Sequence, residues 1–110
     1  MEVEIRKVVI SDFALLSIEN IFQYGIETFS FAAASIFIEE LGLKIQSLSF
    51  NYNLHPECRF LKTKNKLYRN IILGNYLIIF RITLERIEVL NVIHGSRSVN
   101  FIKSTKGIKI

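Results

Sequence analysis

Hydrophobic and polar positions first alternate along the chain, then cycle at helical spacing, then alternate again. Met1 to Ile10 sets Val3, Ile5 and Val9 against Glu2, Glu4 and Arg6, which predicts a strand. Ser11-Asp12 ends it, because Ser11 suits a helix N-cap and Asp12 the positive end of the helix dipole. Ala14, Leu15, Ile18, Ile21 and Phe22 follow at helical spacing to about Tyr24, with Gly25 as the expected stop. A second N-cap is expected at Thr28 or Ser30. From there Ala34, Phe37, Ile38, Leu41, Ile45 and Leu48 form an apolar stripe. Ala32 to Ala34 would let another helix approach closely, and Gly42 inside the stripe costs about 1 kcal/mol relative to Ala. So short a connection predicts an antiparallel helix hairpin.

The period changes at Ser49 to Pro56, where Pro56 pushes His55 towards extended geometry. Cys58 to Leu61 is expected to form a short strand, and Lys62 to Lys66 a basic loop. Three β-rich runs follow: Leu67–Leu73, Tyr76–Thr83 and Arg86–His94. Gly74-Asn75 is a hairpin signal that pairs Leu73 with Tyr76, Ile71 with Ile78 and Arg69 with Phe80. A turn near Leu84-Glu85 pairs Ile82 with Ile87, Phe80 with Val89 and Arg81 with Glu88. The last pair is opposite in charge, and a one-residue slip would lose it and exchange the faces.

In this register one face carries Ile71, Tyr76, Ile78, Phe80, Ile87, Val89 and Ile93, and is expected to lie under the helices. The other carries Tyr68, Leu77, Ile79, Arg81, Glu88, Leu90, Val92 and His94. It too is apolar at its centre, so a partner or the tail is expected to cover it. The order of elements predicts an α+β domain: an N-terminal strand, then a helix hairpin packed on a three- to four-stranded antiparallel sheet. Residues 1–98 form one domain on this reading. Residues 99–110 are a tail for which an edge strand, a helical turn and a disordered end all remain open.

Composition narrows the function. Hydrophobic residues make up 50% and mean hydropathy is +0.32, but no run of about 18 apolar residues exists to span a membrane. The acidic, alternating N-terminus is unlike a signal peptide. The single Cys58 excludes an internal disulfide framework and suits a reducing, cytoplasmic setting. Residues 1–55 hold three Lys/Arg against seven acids, and residues 56–110 hold eleven against three. A basic half of this kind meets a polyanion or an acidic partner, or is simply solvated.

One Cys and two His cannot make a usual zinc site, and there is no phosphate-binding glycine loop. No metal or cofactor is expected. What remains is Lys62, Lys64, Lys66 and Arg69, then Arg81, His94 and Arg97. Such cations can hold nucleic-acid phosphates or stabilise a transferring phosphoryl group, and a His can act as general acid or base. A solvated loop and a strand-capping His are the plain alternative.

The ordered set of second-half features resembles the RelE/ParE superfamily of bacterial type II toxin–antitoxin toxins. Those proteins show an Arg-bearing strand, here Arg69, and a strand of the form Y-x-I-x-[YF]-R-[IV], here Tyr76 to Ile82. A short charged turn follows, here Leu84 to Arg86, then a last strand ending V-x-H-x-x-R, here Val92 to Arg97. The strand and helix of Val3 to Tyr24, and the helix with Ala34, Phe37, Leu41, Ile45 and Leu48 before Pro56, agree. The likeness covers residues 3 to 98.

The resemblance implies a growth-inhibiting toxin bound by a cognate antitoxin, which would form a hetero-oligomer with it and cover Leu77, Ile79, Leu90 and Val92. It also implies one of two targets. A ParE-like toxin inhibits DNA gyrase and is no enzyme, with Lys62, Lys64, Lys66, Arg69 and Arg97 meeting the target or nucleic acid. A RelE-like toxin cuts messenger RNA on the ribosome, with His94, Arg81 and Arg69 as catalytic groups. The ending His94-Gly95-Ser96-Arg97 and the absence of an aromatic before Phe101 resemble the ParE branch.

Overall fold

A computed structural model describes residues 4–110; Met1 to Val3, the start of the expected first strand, lie outside the described residues. Strand β1 (Lys7–Ile10) leads into helices α1 (Asp12–Thr28) and α2 (Phe31–Asn51). A 3-10 turn, Tyr52–Leu54, precedes β2 (Tyr68–Leu73), β3 (Tyr76–Ile82) and β4 (Arg86–His94). A short helix α3 (Val99–Ser104) and a 3-10 turn, Thr105–Gly107, follow. The sheet order is β1-β4-β3-β2. The three later strands form the expected antiparallel meander, and β1 joins its edge parallel to β4, so the sheet is mixed.

Ser11 starts α1 as expected and also ties it to the sheet. Its Oγ accepts from Ala14 N at 2.9 Å and donates to Leu90 O at 2.5 Å, while its own N–H donates to Val89 O. Helix α1 does not stop at Gly25; it runs one turn further, and Ser30 caps α2 by accepting from Ala33 N. Gly25 serves close packing instead. A Cβ placed there would lie 3.0 Å from the Ala34 Cβ, so the hairpin's tightest approach needs both small residues. Gly42 has open space around it, and α2 continues through it.

The expected register holds between β2 and β3 throughout, and between β3 and β4 from Ile82–Ile87 to Phe80–Val89. There β4 carries one extra residue, Leu90, and the pairing resumes as Ile79–Asn91, Ile78–Val92 and Tyr76–His94. This bulge exchanges faces for everything beyond it. Val92 therefore joins the helix-side core, Ile93 moves to the opposite face, and His94 lies beside Tyr76, reversing the placement expected for all three. Ser11 satisfies the carbonyl of the bulged residue, and Ser17 Oγ donates to Asn91 Oδ1. Neither anchor is visible from strand periodicity.

Two apolar clusters result, one on each sheet face. Under the helices, Leu41, Ile45 and Leu48 meet Ile78, Phe80, Val89 and their neighbours. On the other face Cys58, Leu61, Tyr68, Ile79, Leu90 and Ile93 close around Ile102 of α3. The tail is thus helical and covers that face; Ile102 is 1% exposed. Cys58 to Leu61 is not a strand. It forms a turn after a single bridge, Glu57–Arg69, and it carries Cys58 into this second core. Burial pushes the Cys58 thiol up, against the reactive thiolate.

Candidate functional site

The basic groups foreseen in the second half sit in three separate places. At one end of the sheet Arg81 faces Glu88 across β3 and β4 as expected. Its Nε and second guanidinium nitrogen lie 2.7 and 2.6 Å from Glu88 Oε1, and Arg86 holds Oε2 at 2.7 Å. Tyr68 completes the row, with the Arg81 guanidinium 5.9 Å from its ring centre. Glu88 is almost fully buried. Burial alone would raise its pKa, but hydrogen bonds and charge from Arg81 and Arg86 outweigh burial and hold it below the ordinary carboxylate range. Arg81 is fixed likewise: burial opposes its charge, yet Tyr68 and Glu88 raise its pKa overall. The Nε edge of the Arg81 guanidinium is thus committed to Glu88 inside the fold.

His94 sits at the other end. Five strand steps along β3 take Tyr76, its partner, to Arg81, about 17 Å at strand rise. The His94 ring packs edge-on to Tyr76 at 5.2 Å, and Nδ1 lies 2.6 Å from Ser96 Oγ. Beside it lies a cavity of about 580 Å³ between the hairpin tip and the β2–β3 turn, lined by Tyr24, Gly25, Phe29, Phe37, Gly74 and Tyr76 among others. Gly74 takes φ +58, as that turn requires. Burial, with Tyr24 nearby, pushes the Tyr76 hydroxyl up, so it remains protonated.

Arg69 acts as a clamp. Its Nε donates to Lys66 O at 3.0 Å, and one terminal nitrogen donates to Asn53 O and His55 O at 3.0 and 3.1 Å. It thereby holds the Pro56 segment and the basic loop against β2. Lys66 takes φ +53, an uncommon left-handed conformation that turns its carbonyl to this clamp. His55, half-buried against Phe80, has its pKa lowered by burial and then by Lys44 and Arg69. Its Nε2 has no partner, which suits a neutral ring.

The structure therefore does not assemble His94, Arg81 and Arg69 about one point. Lys62, Lys64 and Lys66 remain exposed on the loop, and the Arg97 guanidinium lies over Phe101, 3.7 Å from its ring centre. Ile79 and Leu90, expected on an open face, are fully buried by the tail; Val92 is buried against the helices, and Leu77 is partly covered. Three further cations were missed. Arg59, Lys103 and Lys106 join Lys62 around a groove of about 500 Å³ between the Cys58 turn and α3. Their signal was in the sequence, since residues 58–84 and 89–110 contain no Asp or Glu.

A family model described as the ParE toxin of the type II toxin-antitoxin system, parDE, matches residues 8–99. The chain belongs to the ParE toxin family. Among solved structures, the ParE fold is seen in the chromosomal ParDE TA system from P. aeruginosa, which aligns with a TM-score of 0.68 at 12% identity. That alignment covers 83% of this chain and 97% of the other. No curated protein matches. The ParE match spans β1 through β4 and ends at the first residue of α3, so the cover that α3 lays over the second sheet face falls almost wholly outside it.

Proposed function

We propose that this ParE-family chain is the growth-arresting toxin of a paired system, and that it acts by binding and inhibiting DNA gyrase rather than by cutting RNA. The dispersal of Arg81, Arg69 and His94 over an otherwise complete ParE fold carries this reading. RNA cleavage by the 2′-hydroxyl needs a base, a proton donor and cations around one phosphate. Here Arg81 is held by Glu88, Arg69 by backbone carbonyls, and His94 lies a sheet's length away. A surface that binds a target needs no such convergence.

An antitoxin is the expected partner, and it finds a surface on the hairpin rather than at the buried Ile79 and Leu90. Phe13, Leu16 and Tyr24 on α1, and Ile36, Leu43 and Phe50 on α2, are each more than half exposed. Ile36, Leu43 and Phe50 recur every seven residues, which suits a partner helix lying along α2. Leu43→Asp should abolish co-purification with the antitoxin encoded beside the toxin while leaving the fold intact.

Induction in cells tests the target. The gyrase reading expects a DNA-damage response and gyrase-linked breaks before protein synthesis falls. Prompt translation arrest, with messages cut within codons, would overturn it in favour of the RelE-like reading. In that event loss of cleavage in His94→Ala or Arg81→Ala would restore the catalytic roles considered above.

A further inference from the structure

The groove between the Cys58 turn and α3 gathers four cations, of which only Lys62 was expected to meet a target. Arg59 and Lys62 line one side, Lys103 and Lys106 the other, and Phe60 and Val99 supply apolar surface between them. All four cations are exposed, and among the described residues none is in an ion pair. The nearest acid in sequence, Glu57, is occupied: its Oε2 accepts from Thr63 N at 3.0 Å. Lys103 and Lys106 stand three residues apart, on α3 and on the 3-10 turn that continues it. Aromatic groups hold two of the four heads, the Arg59 guanidinium 4.8 Å from the Phe60 ring centre and the Lys106 ammonium 5.8 Å from that of Tyr68. Both lysines, Lys103 of α3 and Lys106 of its following turn, lie beyond residues 8–99, the span matched by the ParE family.

We propose that this groove binds the phosphodiester backbone of a single nucleic-acid strand. A cationic channel that tracks phosphates beside an aromatic surface is the arrangement that holds single strands without sequence preference. The half-buried Phe60 offers the surface on which a base can rest. A duplex is too wide and stiff to follow two walls set around a groove of about 500 Å³. An acidic polypeptide would satisfy the charge, but its carboxylates do not stack on an aromatic ring as a base does, and competition with polyglutamate separates the two.

The test is fluorescence anisotropy with the purified full chain and labelled oligonucleotides of about 12 nucleotides, as oligo-dT and oligo-U, over roughly 50–200 mM salt. Four phosphate contacts predict a log–log salt slope near −2.8, at about −0.7 per contact on a single strand. Lys103→Ala/Lys106→Ala and Arg59→Ala/Lys62→Ala should each reduce the slope's magnitude by about 1.4. Lys7→Ala/Lys44→Ala, which removes equal charge from exposed sites on β1 and α2, should leave it unchanged. Phe60→Leu should weaken binding at constant slope. Equal binding of oligo-dT and oligo-U means the backbone alone is read; a preference names the source as DNA or RNA. No binding at low salt, equal losses in the groove and control variants, or displacement by polyglutamate as readily as by oligonucleotide of equal charge would each overturn the proposal.

Discussion

Ile102→Ala measures how firmly the tail belongs to the fold. Ile102 is 1% exposed and lies among Cys58, Leu61, Tyr68, Ile79, Leu90 and Ile93, so it is the fully buried anchor by which α3 covers the second sheet face, with Phe101 packed beside it. The substitution removes three carbons. At about 0.8 kcal/mol per buried methylene the lost transfer energy is about 2.4 kcal/mol. The cavity adds about 24 cal/mol per Å³ left unfilled, roughly 1 kcal/mol if half of the vacated space persists. The expected cost is therefore about 3 kcal/mol. For a chain of this size that lowers Tm by about 12–20 °C. Urea denaturation of wild type and variant at one pH gives the difference directly. A change below about 0.5 kcal/mol, which is the size of a surface substitution, would mean that α3 does not pack as described.

Gly25 and Gly42, both inside helices, should respond in opposite senses. Gly42→Ala meets open space and should stabilise by about 0.5–1 kcal/mol, whereas Gly25→Val drives side-chain atoms into Ala34 and should destabilise by about 1–3 kcal/mol, both read by thermal melts. Ser11→Ala removes the α1 cap and leaves the Leu90 carbonyl without its partner, for a loss of about 1–3 kcal/mol on urea denaturation. Glu88 has a depressed pKa in the fold, so its contribution is present above the unfolded value of about 4.3 and is lost as pH falls through the lower folded value. Glu88→Gln should therefore cost stability near neutrality and flatten the acid side of a Tm-against-pH curve; an unchanged acid limb would contradict the pairing with Arg81 and Arg86.

Most of the architecture was legible because it rests on local signals. Ser11 and Ser30 are caps, the hairpin turn follows from Gly74, and the Arg81–Glu88 pair fixes the β3–β4 register. What escaped depends on contacts between distant residues. Gly25 reads as a stop until Ala34 is seen opposite it. The Leu90 bulge has no mark in a strand that is apolar on both faces, yet it moves Val92, Ile93 and His94 to the other face. The tail hides its role because its apolar anchors, Ile102 with Phe101 and Ile108, are few and scattered among polar and basic residues. The site suffered in the same way. Arg69 and Arg81 are the residue types that bind phosphate; the Arg81–Glu88 pair was expected, but the second clamp of Arg86 on Glu88 and the three carbonyls that hold Arg69 become visible only in the fold. The groove lysines were counted in the charge balance without a place to stand.

Inhibition of gyrase by binding is to be read in supercoiling by the purified enzyme. Adding the purified toxin to gyrase, relaxed plasmid and ATP should reduce supercoiling and accumulate cleaved plasmid, with His94→Ala as effective as wild type. Undiminished supercoiling at toxin in molar excess over gyrase would contradict the account.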